Sequence, residues 1–169
     1  MTRSSSLLLT TATLSLLAPA SLSMRYPVTG AAAPTTWQGR YLASDDGSAS
    51  FDWPGVRVSF TTSAETTTVS AEILSPGAVR GLFRMAVDGV NTTSIATSNA
   101  SATYVLASGL AGARTVELYS ILEPALLHPQ PFLPEAPYTA LSLVSLTADG
   151  ALGAPPPAPK RRLLFFGDR

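Results

Sequence analysis

Residues 55–61 read GVRVSFT, and within them Val56, Val58 and Phe60 alternate with polar residues. Successive side chains of a β-strand point to opposite faces, so this pattern gives one apolar face and one polar face. The stretch predicts a β-strand that is buried on one side only. It also decides the fold class, because the same period of two recurs along most of the chain.

The other apolar runs between residues 37 and 148 are also short and β-type, and none keeps a helical period. Residues 66–74, TTTVSAEIL, alternate like the first strand, as do Phe83, Met85 and Val87. Turn signals such as Asp45-Asp46-Gly47 and Asp88-Gly89 separate the runs. Many short strands between regular turns predict an all-β, antiparallel β-sandwich, with a closed barrel as the alternative. Further predicted strands are 40–42, 49–53, 104–106, 116–119 and 141–148.

The alternation also predicts which side chains lie inside. In the last strand, Leu141 and Leu143 share a face with Ser145 and Thr147. We expect the aromatic side chains of Tyr41, Phe51 and Phe60 to lie in the core.

Length, charge and cysteine content narrow the functional classes. A chain of 169 residues with 46% hydrophobic and 13% charged residues can form one folded domain and lacks the composition of a disordered protein. Residues 25–159 hold 6 basic and 10 acidic residues, a net charge of −4, so we do not expect a nucleic-acid partner. The absence of cysteine excludes disulfides and cysteine-bound metal, and nothing indicates a cofactor.

The N-terminus is typical of a secretion signal. Arg3 precedes a short apolar run at 7–17, and small residues follow, with cleavage after Ala20 or Ser23. The run is too short for a membrane span, so residues 1–23 predict a signal peptide and an extracellular mature protein without a membrane anchor. Asn91-Thr92-Thr93 and Asn99-Ala100-Ser101 are N-glycosylation sequons, which fit export.

Proline-rich segments mark two connections. Residues 123–138 are rich in proline, which excludes a helix or a central strand, so we expect a long crossover loop there. Residues 150–160 contain Pro155, Pro156, Pro157 and Pro159 and predict an extended linker after a sandwich domain at 35–149. Residues 161–169, RRLLFFGDR, then predict the first strand of another domain.

Several blocks together resemble carbohydrate esterase family 2, a family of acetyl xylan esterase-like enzymes. They are WQGRY (37–41), FDWPGVRVSF (51–60), VDG (87–89), YVLASGLAGARTVELY (104–119) and RRLLFFGD (161–168). The resemblance implies an N-terminal jelly-roll sandwich followed by a hydrolase domain of the SGNH type. Its expected partner is an acetylated polysaccharide.

The resemblance also implies that the 169-residue chain is inactive. In that family the terminal strand leads into a Gly-Asp-Ser block whose serine is the nucleophile, and here Arg169 holds the serine position. A guanidinium has no nucleophilic oxygen, whereas acyl transfer needs an activated hydroxyl. The only histidine, His128, lies in the proline-rich loop and is not expected to act as a base. Either the sequence stops before the hydrolase domain, or a short relative has lost it.

Trp37 and Trp53 are candidate carbohydrate-binding residues, because aromatic faces suit the apolar faces of sugar rings, although core packing is the usual role of tryptophan in a sandwich. A free-standing carbohydrate-binding module is therefore the alternative function. Asp45, Asp46 and Asp88 are spaced as solvated turn residues, and we expect no metal site.

Overall fold

A computed structural model of the protein describes residues 23–52, 54–75, 81–98, 100–121 and 140–153. These residues form twelve β-strands, and no helix among them could span a membrane. The strands are β1 Met24–Tyr26, β2 Thr36–Gln38, β3 Leu42–Ala43, β4 Ala49–Phe51, β5 Arg57–Thr62, β6 Thr68–Leu74, β7 Leu82–Val87, β8 Val90–Ala96, β9 Ala102–Ser108, β10 Thr115–Ser120, β11 Leu141–Ala148 and β12 Leu152–Gly153.

The described strands form two antiparallel sheets. Sheet I has the order β3-β4-β11-β6-β9, and β1 pairs with β11 beyond the end of β4. Sheet II has the order β12-β5-β10-β7-β8, and β2 pairs with β5 beyond the end of β12. Two separate sheets confirm the predicted all-β sandwich and exclude the closed barrel.

The core lies between the sheets and is built from their inward-facing apolar side chains. Phe51 of sheet I meets Phe83 of sheet II edge to face, with ring centroids 6.0 Å apart and planes at 86°. Phe60 is fully buried and Phe51 is 4% exposed, so both are core residues as predicted. Tyr41 is 40% exposed, so its predicted place in the core is wrong. It lies just before β3, the short edge strand of sheet I, where only one neighbouring strand covers the chain.

A bulge changes which residues of β11 face the core. In β11 the pairing with β6 shifts between Leu143 and Ser145, and the adjacent residues Ser145 and Leu146 are both buried. Thr147 is only partly buried, whereas Ala148 is buried, so simple alternation fails after Ser145. One extra residue in a strand reverses the faces of all that follow it. The shift between β7 and β8 instead places the extra residue, Thr92, in β8, and the faces of β7 are unchanged.

The turn between β7 and β8 forms as the sequence predicts. Asp88 has φ of 51° and Gly89 has φ of 79°. Two successive positive φ values are the mark of the tight hairpin turn favoured by Asp-Gly. The Asp-Gly signal thus fixes the pairing of β7 with β8.

Strands outside the predicted range 35–149 complete the sandwich. Tyr26 in β1 donates a hydrogen bond from its hydroxyl to the carbonyl of Gly150, and the hydroxyl accepts one from the Leu152 amide, both at 3.3 Å. These bonds tie β1 of sheet I to β12 of sheet II. The start of the predicted linker, residues 152–153, is therefore a strand of the domain.

Several predictions fall outside the described residues. They are the signal peptide over residues 1–22, the crossover loop at 123–138, the linker at 154–160 and the terminal strand at 161–169.

Candidate functional site

The outer face of sheet II carries a line of polar side chains that crosses five strands. The register places Gln38 opposite Arg57, Arg57 opposite Tyr119, Tyr119 opposite Arg84 and Arg84 opposite Ser94. Directly opposed residues on paired strands share a face of the sheet. We call these five residues the polar row. At the usual spacing between strands, it extends over roughly 19 Å.

Most of the polar row is held in one hydrogen-bonded network. The guanidinium of Arg57 lies 3.2 Å from a carboxylate oxygen of Glu117, which is two residues from Tyr119 on β10. Arg57 also donates to the side-chain carbonyl of Gln38 and lies 5.5 Å from the centre of the Tyr119 ring. The Tyr119 hydroxyl donates to the other Glu117 oxygen at 2.5 Å. These contacts fix the side chains in place before any ligand arrives.

The network has an electrostatic consequence for Tyr119. Partial burial raises the pKa of the Tyr119 hydroxyl above its ordinary value of 10.0, and the hydrogen bond to Glu117 raises this pKa further. The hydroxyl is therefore a hydrogen-bond donor at neutral pH. Arg57 and Glu117 neutralise each other, so the network around Tyr119 carries no net charge.

Arg84 differs from Arg57. Its side chain is exposed, and within the described part of the chain it forms no ion pair and no hydrogen bond. It lines a shallow, open depression together with Asn91, Thr92, Thr93 and Ser94 from β8. The depression thus combines an unneutralised cation with amide and hydroxyl groups.

Trp37 lies at the edge of the core, next to the polar row. Its indole nitrogen donates to the carbonyl of Val28 at 2.7 Å, and its ring stacks on Tyr41 with centroids 4.7 Å apart and an interplanar angle of 26°. The ring of Phe51 also packs near Trp37, with the two ring centroids 5.9 Å apart. The Trp37 ring is partly buried, and the exposed Tyr41 covers one of its faces. Tyr41 therefore shields part of the Trp37 ring and itself presents aromatic surface to solvent.

The remaining candidate residues are dispersed. Asn91 is exposed on β8, whereas Trp53, Asn99 and His128 lie outside the described residues. Asp46 accepts hydrogen bonds from the hydroxyl and amide of Ser48, which lower the pKa of its carboxyl. Asp88 is held by the Thr115 amide and by Arg114, each at 2.9 Å. These acids thus serve local turn and strand contacts.

Sequence reasoning missed the polar row. Its members come from five strands, and in each strand they are ordinary outward-facing polar residues. Only the register between strands shows that they are aligned. The one local signal is Arg57, which occupies a polar position in the stretch that predicted the fold.

Comparison with known families identifies the chain. Residues 37–128, more than half of the 169, match the family described as Carbohydrate esterase 2 N-terminal. The chain belongs to this family. The resemblance found in the sequence is confirmed, and the matched range of this carbohydrate esterase 2 domain begins at Trp37 and includes β5, β7 and β10.

Solved structures with the same fold include esterases and a binding domain. A family two carbohydrate esterase from Cellvibrio japonicus matches with a TM-score of 0.64 and 22% identity, over 83% of this chain and 38% of that protein. The family two enzyme from Clostridium thermocellum, in complex with cellohexaose, matches with a TM-score of 0.61 and 24% identity. This match covers 75% of this chain and 35% of that protein.

A further match is the CBM36-1 domain of a multidomain xylanase from the hindgut metagenome of Trinervitermes trinervoides, with a TM-score of 0.52 and 13% identity. This match covers 77% of this chain and 98% of that domain. The chain therefore spans little more than a third of either esterase but nearly the whole length of the xylanase domain. No curated protein matches this chain.

Proposed function

We propose that the protein is the accessory β-sandwich domain of a secreted carbohydrate esterase and is itself without esterase activity. The observation that carries this proposal is the family match over residues 37–128, which includes the strands from β3 to β10. The Cellvibrio esterase has 62% of its length outside the region matched by this chain, since the match covers 38%. That length leaves room for a separate hydrolase domain of the SGNH type, beside which the sandwich would pack.

The chemistry of this chain supports an accessory role. Ester hydrolysis by a serine enzyme needs a nucleophile within hydrogen-bond reach of a base. The sequence has one histidine, His128, and Arg169 stands where the resemblance places the nucleophile. Among the described acids, Glu117 and Asp88 are engaged by arginines.

Hydrolysis of p-nitrophenyl acetate tests the absence of esterase activity. We expect the purified 169-residue chain to release nitrophenol at the rate of the buffer blank. A rate above the blank that disappears in His128→Ala would overturn the proposal.

A second candidate function is carbohydrate binding, and the polar row favours it. Sugar hydroxyls are bound by planar arrays of amide, carboxylate and guanidinium groups that are already in place, because little entropy is then lost on binding. Gln38, Arg57 and Glu117 form such an array. The Clostridium esterase was solved with cellohexaose, which makes soluble glucans a first choice of probe.

Affinity electrophoresis tests binding. We expect slower migration in native gels that contain glucan or xylan, and a smaller delay for Glu117→Gln. Trp37→Phe tests the aromatic alternative at the edge of the core. Unchanged mobility of the wild-type chain on every polysaccharide would exclude the binding function and leave the accessory-domain proposal intact.

The proposal also includes secretion of the protein. Export through a signal peptide would give a mature N-terminus at residue 21 or 24, because cleavage is expected after Ala20 or Ser23. N-terminal sequencing of protein collected from the medium tests it, and recovery of an intact Met1 would contradict it.

A further inference from the structure

Arg84 differs from the other arginines of the described strands in its lack of a carboxylate partner. Arg25, Arg57 and Arg114 each lie within 3.2 Å of a carboxylate, whereas Arg84 forms no such pair within the described residues. With Ser94, it is one of the two members of the polar row that border the open depression on β8. An arginine left without a partner beside a structured polar surface is available to an external anion.

We propose that the polar row binds a carbohydrate that carries a carboxylate, such as a uronic acid substituent, with Arg84 as the carboxylate-binding residue. This inference rests on the carbohydrate-binding function proposed above and names the class of glycan. The planar guanidinium can donate two parallel hydrogen bonds to a carboxylate, which a neutral sugar cannot accept in the same way. The charge therefore gives specificity where the rest of the row gives general affinity for hydroxyl groups.

The surroundings of Arg84 fit a sugar rather than a free anion. Asn91, Thr93 and Ser94 line the depression and offer amide and hydroxyl groups, which match the hydroxyls of a pyranose ring. On the other side, Tyr119 lies directly across from Arg84 and is held by Glu117. A glycan lying along the row would meet the hydrogen-bonding groups of the neutralised network first and then the guanidinium of Arg84, which no described carboxylate neutralises.

The net charge of residues 25–159, rather than that of the whole chain, limits the glycan to one with sparse carboxylates. Residues 25–159 carry 6 basic and 10 acidic residues, so a densely charged polyanion would be repelled by most of the surface. Arg84, which has no carboxylate partner among the described residues, can balance one carboxylate. A neutral backbone with occasional uronic acid side groups has this charge pattern.

The test compares one polysaccharide with and without its carboxylates. Native gels contain either a xylan that carries glucuronic acid or the same xylan after chemical reduction of the carboxyl groups to alcohols. The full chain is produced in a host that adds no N-glycans, because a glycan on Asn91 would fill the depression. We expect the acidic xylan to retard the wild-type chain more strongly than the reduced xylan.

Two arginine variants test whether Arg84 is the residue that binds the carboxylate. Arg84→Gln is expected to weaken binding to the acidic xylan about tenfold, to the level seen with reduced xylan, without changing the melting temperature. Arg25→Gln removes an exposed arginine on the outer face of sheet I and should leave binding unchanged.

The outcomes separate this inference from the function on which it rests. Equal retardation by the acidic and reduced xylans, or unchanged binding of Arg84→Gln, overturns the carboxylate specificity while carbohydrate binding stands. An equal loss in Arg25→Gln also overturns it, because general charge would then explain the binding. No retardation of the wild-type chain on either gel overturns both proposals.

Discussion

Arg57 and Glu117 form an ion pair of 3.2 Å on the outer face of sheet II, where their side chains are only 27% and 16% exposed. They lie on the neighbouring strands β5 and β10, and each also contacts Tyr119. A face that is open to solvent usually carries loosely held polar side chains. Here the side chains shield one another, so the pair is both a structural feature of the sheet and part of the proposed binding surface.

Removal of the carboxylate charge should destabilise the fold. Glu117→Gln leaves the half-buried Arg57 without its counter-ion, and we expect a loss of about 1–2 kcal/mol in the free energy of unfolding, between the values for exposed and buried pairs. Urea denaturation measures it. Arg25→Gln breaks the more exposed Arg25–Glu72 pair and should cost less than about 1 kcal/mol. Equal losses in the two variants would contradict this role of burial.

The bulge in β11 predicts different costs for two adjacent residues. Leu146 is fully buried and Thr147 is partly buried on the opposite face. Leu146→Ala should lower the free energy of unfolding by about 2–5 kcal/mol because it leaves a cavity, and Thr147→Ala by less than about 1 kcal/mol. Chemical denaturation of both variants checks the register. A larger loss for Thr147→Ala would mean that simple alternation continues through the strand.

Asp149 predicts a dependence of stability on acid pH. Its carboxylate accepts hydrogen bonds from the hydroxyl of Thr67 and from the amides of Thr67 and Thr68, which lower its pKa below the ordinary value of 3.8. A carboxyl whose pKa is lower in the folded state stabilises the fold above the pKa of the unfolded chain, and the contribution is lost as pH falls.

Asp149→Asn should therefore melt at a lower temperature than the wild type at neutral pH. The difference should shrink as the pH falls below about 4. Thermal melts at several pH values measure it. Ser142→Ala, near the opposite end of β11, removes no charge and serves as the control, because its difference from the wild type should not depend on pH. A constant difference between Asp149→Asn and the wild type would contradict the role of the ionised carboxylate.

The exposed position of Asn91 on β8 predicts a modification site, and a glycan there would exclude binding at the depression beside Arg84 on the same molecule. Protein secreted from a eukaryotic host should lose mass on treatment with an N-glycosidase, and Asn91→Gln should remove the glycan at this site. Thr93→Ala destroys the sequon while keeping the asparagine, whereas Thr92→Ala preserves the sequon and serves as the control. Intact-protein mass spectrometry distinguishes the variants. Equal masses for Thr92→Ala and Thr93→Ala, apart from the substitutions themselves, would refute glycosylation at Asn91.

The sequence alone was enough to predict the sandwich. Val56, Val58 and Phe60 show the period of two, and Asp88-Gly89 marks a turn that forms with the expected positive φ values. These signals are local, because the pleat of a strand and the geometry of a tight turn depend on residues next to one another. The family could also be recognised from blocks such as FDWPGVRVSF, and the match over residues 37–128 confirms it.

Only the tertiary structure decided how the strands are aligned. The shift after Leu143, the pairing of β1 with β11 and the line from Gln38 to Ser94 all depend on hydrogen bonds between segments far apart in the chain. Alternation determines that Arg57 and Arg84 point outward but not which residues lie opposite them. Register is set by the fit of two whole sheets around one core, and the candidate site exists only once that register is fixed.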